Sequence, residues 1–125
     1  MLWRIFGALA IFLVFPFSTS DVRVVFVGEK EYVSEIAKTV RERQKGLSGR
    51  ESGTMLFVHK EPGRLVYHTK KMLFDIDIVF INGNTVVKVF ENVSPGKVVR
   101  SSVFADIVFE TNAGSVIKKG EILKF

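Results

Sequence analysis

The stretch MLFDIDIVFINGNTVVKVFENV, Met72 to Val93, sets two runs rich in β-branched and aromatic residues on either side of an Asn-Gly pair. Asparagine and glycine tolerate the positive φ angles of a tight turn, so the chain is expected to fold back here as a β-hairpin. The same texture recurs along the chain. "DVRVVFVG" alternates and ends at Gly28, "MLFV" (55–58) is short and fully apolar, and "RLVYH" (64–68) follows the turn "HKEPG". "KVVRSSVFADIVFETN" supplies one or two more strands and "EILKF" closes the chain. Seven or eight short strands in 105 residues predict a mainly β domain. The expected form is a compact antiparallel β-sandwich or partly closed barrel with one short α-helix.

The helix is placed by its start signal. Within "EYVSEIAKTVRERQKGL" the alternation up to Ala37 suits a strand, whereas Thr39 followed by Glu42 has capping-box spacing. There the threonine hydroxyl and the glutamate carboxylate each satisfy an otherwise unpaired amide. A helix from Val40 to Lys45 is therefore predicted, ended by Gly46, which has no Cβ to clash in a left-handed conformation.

The first twenty residues have another character. Arg4 precedes an apolar stretch from Ile5 to Phe17, and Ser18, Thr19 and Ser20 follow before Asp21. This is the order of a secretory signal peptide. The 13 residues of that stretch are short for a permanent bilayer span, which needs roughly 20. Residues 1–20 are thus expected to be a cleaved leader and residues 21–125 a single domain, periplasmic, cell-surface or secreted. The chain has no cysteine, so packing alone must hold it, and thiol chemistry is excluded. Its net charge of +5 falls to +4 without Arg4 and is scattered, which disfavours nucleic acid as a partner.

Several ordered segments together resemble the uncharacterised family numbered 192 among the domains of unknown function. They are "TVRERQKGLSGR", "GTMLFV", "DIDIVFI", "VFETNAG" and "GEILKF". The family pattern Glu-Arg-x-x-Gly-Leu-Met-x-Arg falls on Glu42, Arg43, Gly46, Leu47 and Arg50, with Ser48 replacing methionine. Asp77, Ile78 and Phe80 match its Asp-Ile-x-Phe portion, while Asp75 stands where proline is usual. Of the family's Phe-Trp-Met-Lys-Asn-Thr stretch only Lys70 survives, so the chain resembles a divergent member. The last motif falls on Glu110 and Gly114. The resemblance implies a compact β fold and no established activity.

Asp75 and Asp77 are the first candidates for chemistry. Two positions along a strand place their Cα atoms about 6.6 Å apart, close enough for an acid–base pair, with His68 as a third group. The simpler expectation is structural: Phe74, Ile76, Ile78 and Phe80 form the core face, and Asp77 pairs with Arg43 or Arg50. Glu42 is explained by its cap, and His59 in the "HKEPG" turn by solvation. Lys70 and Lys71 are gatekeepers before an apolar run, Lys70 being the better anion-binding candidate. Ser48, Ser101 and Ser102 lack nucleophile-elbow context.

These residues lead to a small ligand-binding or accessory module with no cofactor and no metal. Its partner is a small ligand or another protein, with a membrane touched only through an uncleaved leader, and it is expected to be a monomer. A hydrolase or lyase using Asp75, Asp77 and His68 is the first alternative, and a module that binds a protein through a sheet edge the second. Intact-mass measurement of the exported protein is expected to give a chain starting within two residues of Asp21; a product retaining Met1 to Ser20 excludes cleavage.

Overall fold

The computed structural model describes residues 21–125; the leader expectation, on residues 1–20, lies outside the described residues. Strands β1 (Asp21–Val27) and β2 (Lys30–Ala37) form an antiparallel hairpin. Helix α1 (Val40–Lys45) begins where the sequence signal placed it. Thr39 Oγ1 accepts from the Glu42 amide at 3.0 Å, and the Glu42 carboxylate accepts from the Thr39 and Lys38 amides at 3.0 and 2.9 Å. Those amides, Thr39's foremost, hold the Glu42 carboxyl below its ordinary range. Gly46 ends the helix at φ +50°, and a Cβ there would stand 3.4 Å from the Phe57 ring. That distance is ordinary van der Waals contact, so it is the positive φ, and not lack of space, that favours glycine here.

Next come β3 (Met55–Gly63), β4 (Val66–His68), β5 (Ile76–Asn82), β6 (Thr85–Val93), β7 (Val98–Arg100), β8 (Ala105–Asn112) and β9 (Leu123–Lys124). The main sheet runs β6-β5-β8-β3-β2-β1-β9, and β4 and β7 form a separate two-stranded ribbon. β5 and β6 are the hairpin expected across Asn82-Gly83. The sheet curls until its outer strands meet: the Val86 amide donates to Glu121 O at 2.9 Å and the Leu123 amide to Asn84 O at 2.7 Å. The result is the partly closed barrel anticipated from the strand pattern.

Three details depart from that pattern. β2 and β3 are parallel, not antiparallel, because the chain crosses over through α1 and residues 46–54 instead of turning tightly. β3 does not stop at Val58: "HKEPG" continues the strand to Gly63, with a shift of register against β8. And β5 is buried on both faces. Val79 and Ile81 join Val25, Leu56 and Phe109 in one apolar cluster. Ile76, Ile78 and Phe80 join Phe57, Leu47 and Val99 in a second, which the ribbon and the end of α1 cover.

Asp77 lies on the first of these faces and is 1% exposed. Its Oδ1 accepts from the Asn92 amide at 2.9 Å, and its Oδ2 accepts from the Ser115 amide and hydroxyl at 2.9 and 2.6 Å. The expected ion pair with Arg43 or Arg50 is therefore absent. Arg50 is paired with Glu35, and Arg43 Nη1 donates to the carbonyls of Lys38 and Val58. A register shift between Ile76 and Ile78 turns the Asn92 amide, at φ +54°, toward the carboxylate. Asparagine is one of the few residues that adopt this conformation readily.

Replacing this acceptor-only carboxylate by an amide aims an N–H at one of its donors. Asp77→Asn is expected to lower stability by about 2–3 kcal/mol in urea unfolding, with the far-UV spectrum retained. A loss under about 0.5 kcal/mol, the range of ordinary surface substitutions, removes this assignment.

Candidate functional site

A cavity of about 240 Å³ opens between α1, the segment after it, β4 and the outward face of β3 and β8. The helix end at Gly46 lies against Phe57, while Leu47 and Met72 complete an apolar floor. Tyr67 stands as a wall, its ring edge-on to Phe57 and Phe80 at centroid separations of 5.1 and 6.1 Å. Thr69 fixes the ribbon bearing Tyr67: its hydroxyl donates to Ser94 O and accepts from the Lys97 amide, at 2.8 and 2.9 Å.

Into this setting β8 brings Glu110, aligned between Met55 of β3 and Ile78 of β5. It is 4% exposed and lines the cavity, and its carboxyl group has no hydrogen-bond partner among the described residues. Burial alone pushes its pKa up to about 8, so the group is largely un-ionised at neutral pH. Nearby, the Tyr67 hydroxyl and His59 Nε2 are 2.7 Å apart. Burial, then the neighbouring Glu110, raises the tyrosine pKa. Burial, then the positive Arg43, lowers that of His59, with Asp106 opposing. His59 is thus half-buried and bonded, not solvated as its turn-like setting suggested.

Arg43 also borders the cavity. Nη1 is held by two backbone carbonyls, that of Val58 at 3.0 Å, while Nε and Nη2 donate to no protein atom among the described residues. The guanidinium is anchored at one end and has donors to spare at the other.

The sequence candidates scatter across this geometry. Arg43 and His68 line the cavity; Asp75, Asp77, Arg50 and Lys70 do not. Asp75 and Lys70 are exposed, and the Lys70 amide donates to His68 Nδ1 at 3.3 Å. Asp75, Asp77 and His68 therefore form no joint acid–base site. Among the described residues no three His, Asp or Glu side chains gather as metal ligands. Glu110, His59 and Tyr67 are not among the sequence candidates: Glu110 enters there only as a family match and His59 only as a solvated turn residue. For Glu110 a signal existed: in "IVFETN" it shares the strand face of Val108, and an acid on a core-facing position calls for an explanation.

A curled, nearly closed β-sheet with an amphipathic cavity on its outer face defines the class of protein. Within that class, the family model DUF192, described as "Uncharacterized ACR", matches residues 23–124, and the chain belongs to that family. No curated protein matches it significantly. Two solved structures share the fold. A protein of unknown function from Novosphingobium aromaticivorans superposes with a TM-score of 0.77 at 24% identity, over 88% of this chain and 89% of that one. A Sinorhizobium meliloti protein, whose description proposes a transcription regulator, gives 0.80 at 23% identity, over 84% and 94% respectively.

Glu110 makes stability depend on pH. Its pKa is raised from 4.5 to about 8 on folding, so its contribution is fully present below pH 4.5 and is lost as pH rises through 8. Glu110→Gln, which cannot ionise, is expected to match the parent near pH 4 and to exceed it in urea midpoint at pH 8–9. Parallel pH profiles for the two proteins contradict a buried, unpartnered acid.

Proposed function

We propose that this chain is an exported domain that binds a small molecule in the cavity between α1, β4 and β8. The observation carrying this reading is Glu110. A buried polar group without a partner is costly, and functional sites are where such groups are retained. Here it lies in a concave, mostly apolar space beside a Tyr67–His59 hydrogen bond and an arginine with spare donors, the usual composition of a ligand site. The volume corresponds to about eight water molecules at ~30 Å³ each, so the ligand is small. The order of residues in Met1 to Ser20 supports export.

The test is a fragment screen of the mature domain by amide and histidine NMR, with Val66→Trp as a blocked control. Val66 is exposed at the cavity wall, so tryptophan there obstructs the space without entering the core. Fragments are expected to shift signals of Arg43, His59, Tyr67 and Glu110 and to lose their effect in the blocked variant. Shifts elsewhere, or unchanged shifts in Val66→Trp, overturn the cavity as the binding site.

A further inference from the structure

We infer that the cavity takes a small organic carboxylate, its anionic end on the free donors of Arg43 and its apolar body against Phe57, Leu47 and Met72. This rests on the binding role proposed above and names the chemistry the ligand must carry. Among the described residues that line the cavity Glu110 is the sole acid, against Arg43 and Lys45 of α1. With Glu110 un-ionised and the His59 pKa depressed, nothing inside offsets the arginine at neutral pH. A cationic ligand would meet like charge and a neutral acid; an anion meets an uncompensated guanidinium.

The geometry of Arg43 favours a planar two-oxygen anion. Nη1 is fixed by the Lys38 and Val58 carbonyls, which leaves the edge formed by Nε and Nη2. Those two nitrogens present parallel N–H bonds at the spacing of the two oxygens of a carboxylate. The remaining volume suits a body of one ring or a short aliphatic chain, and the aromatic edges of Phe57 and Tyr67 give it apolar surface. The neutral Glu110 carboxyl adds no negative charge and has a proton to donate to a ligand oxygen.

Binding should therefore be linked to Glu110. The titratable and charged groups around it are Arg43 and Lys45 from α1, His59 from β3, and Tyr67 and His68 from β4, with Asp106 beyond His59. Between pH 7 and 9 the depressed pKa of His59 keeps it neutral and the raised pKa of Tyr67 keeps it protonated. Glu110 ionises in this window and cancels the positive field, opposing the anion.

Benzoate, benzamide and benzylamine share one ring and differ in charge, and titration of each into the mature domain by NMR decides the matter. Benzoate is expected to bind most tightly at pH 7 and to weaken about tenfold by pH 9, following the protonated fraction of Glu110. Arg43→Gln should weaken benzoate by about tenfold or more and leave benzamide unchanged. Arg43→Lys, which keeps the charge but not the fork, should recover only part of that loss. Glu110→Gln should keep benzoate binding and abolish its pH dependence. Preference for benzylamine or benzamide, or a benzoate affinity indifferent to Arg43, overturns the carboxylate assignment while the cavity remains a binding site. Failure of all three probes, with the fragment screen also silent at the cavity, overturns the binding reading itself.

Discussion

The closure of the sheet depends on one buried carboxylate. After β8 the chain leaves the middle of the sheet and must travel to its far edge, where β9 pairs with β1. Asp77, on the neighbouring β5, catches that departing segment at Ser115 by two hydrogen bonds and holds the bulge of β6 by a third. Lys30, from the β1–β2 end of the sheet, donates to the Ser115 carbonyl as well. The next residue, Val116, is left at φ +61°, an unfavourable conformation for a β-branched side chain. Ile117 then turns into the barrel core, 2% exposed. Strain of order 1–3 kcal/mol at Val116 persists because the anchors on either side over-determine its position.

The two buried acids of this domain are opposites in how their desolvation is met. Among the described residues Asp77 has three donors, two amides and a hydroxyl, and no cation, and such directed donors suffice to stabilise a carboxylate away from water. Glu110, on the adjacent strand but the other face of the sheet, has no donor among the described residues and stays protonated at neutral pH. The first acid is spent on the fold. The second is left over, and the cavity beside it is where its unused hydrogen-bonding capacity is available.

Much of this architecture is legible in the chain because local chemistry dictates it. The Asn82-Gly83 turn, the Thr39–Glu42 cap and the glycine after Lys45 each act within a few residues, and each stands where its signal points. What could not be read is set by distant pairing. Nothing in "HKEPG" marks it as strand; it extends because β8 offers backbone partners on both sides of an irregularity. Arg43 and Asp77 are complementary in charge, yet they belong to opposite faces of the sheet, and periodicity within one strand does not say which face a helix will cover. The same blindness hid the site. Glu110 is far in sequence from His59 and Tyr67 and reaches them only once β8 inserts between β5 and β3.

That insertion also couples the short helix to the character of the cavity. Six residues are too few for α1 to hold its shape alone, so the capping box at one end and the seating of Gly46 on Phe57 at the other must keep it in place. Arg43 lies in the last turn, its amide donating to Thr39 O at 2.9 Å, and its guanidinium reaches the carbonyl of Val58 on β3. The charge at the cavity is thus positioned by the same few bonds that start and stop the helix. Any change that loosens the cap lets the arginine swing toward water, and the balance between its charge and the un-ionised Glu110 is lost without either residue being altered.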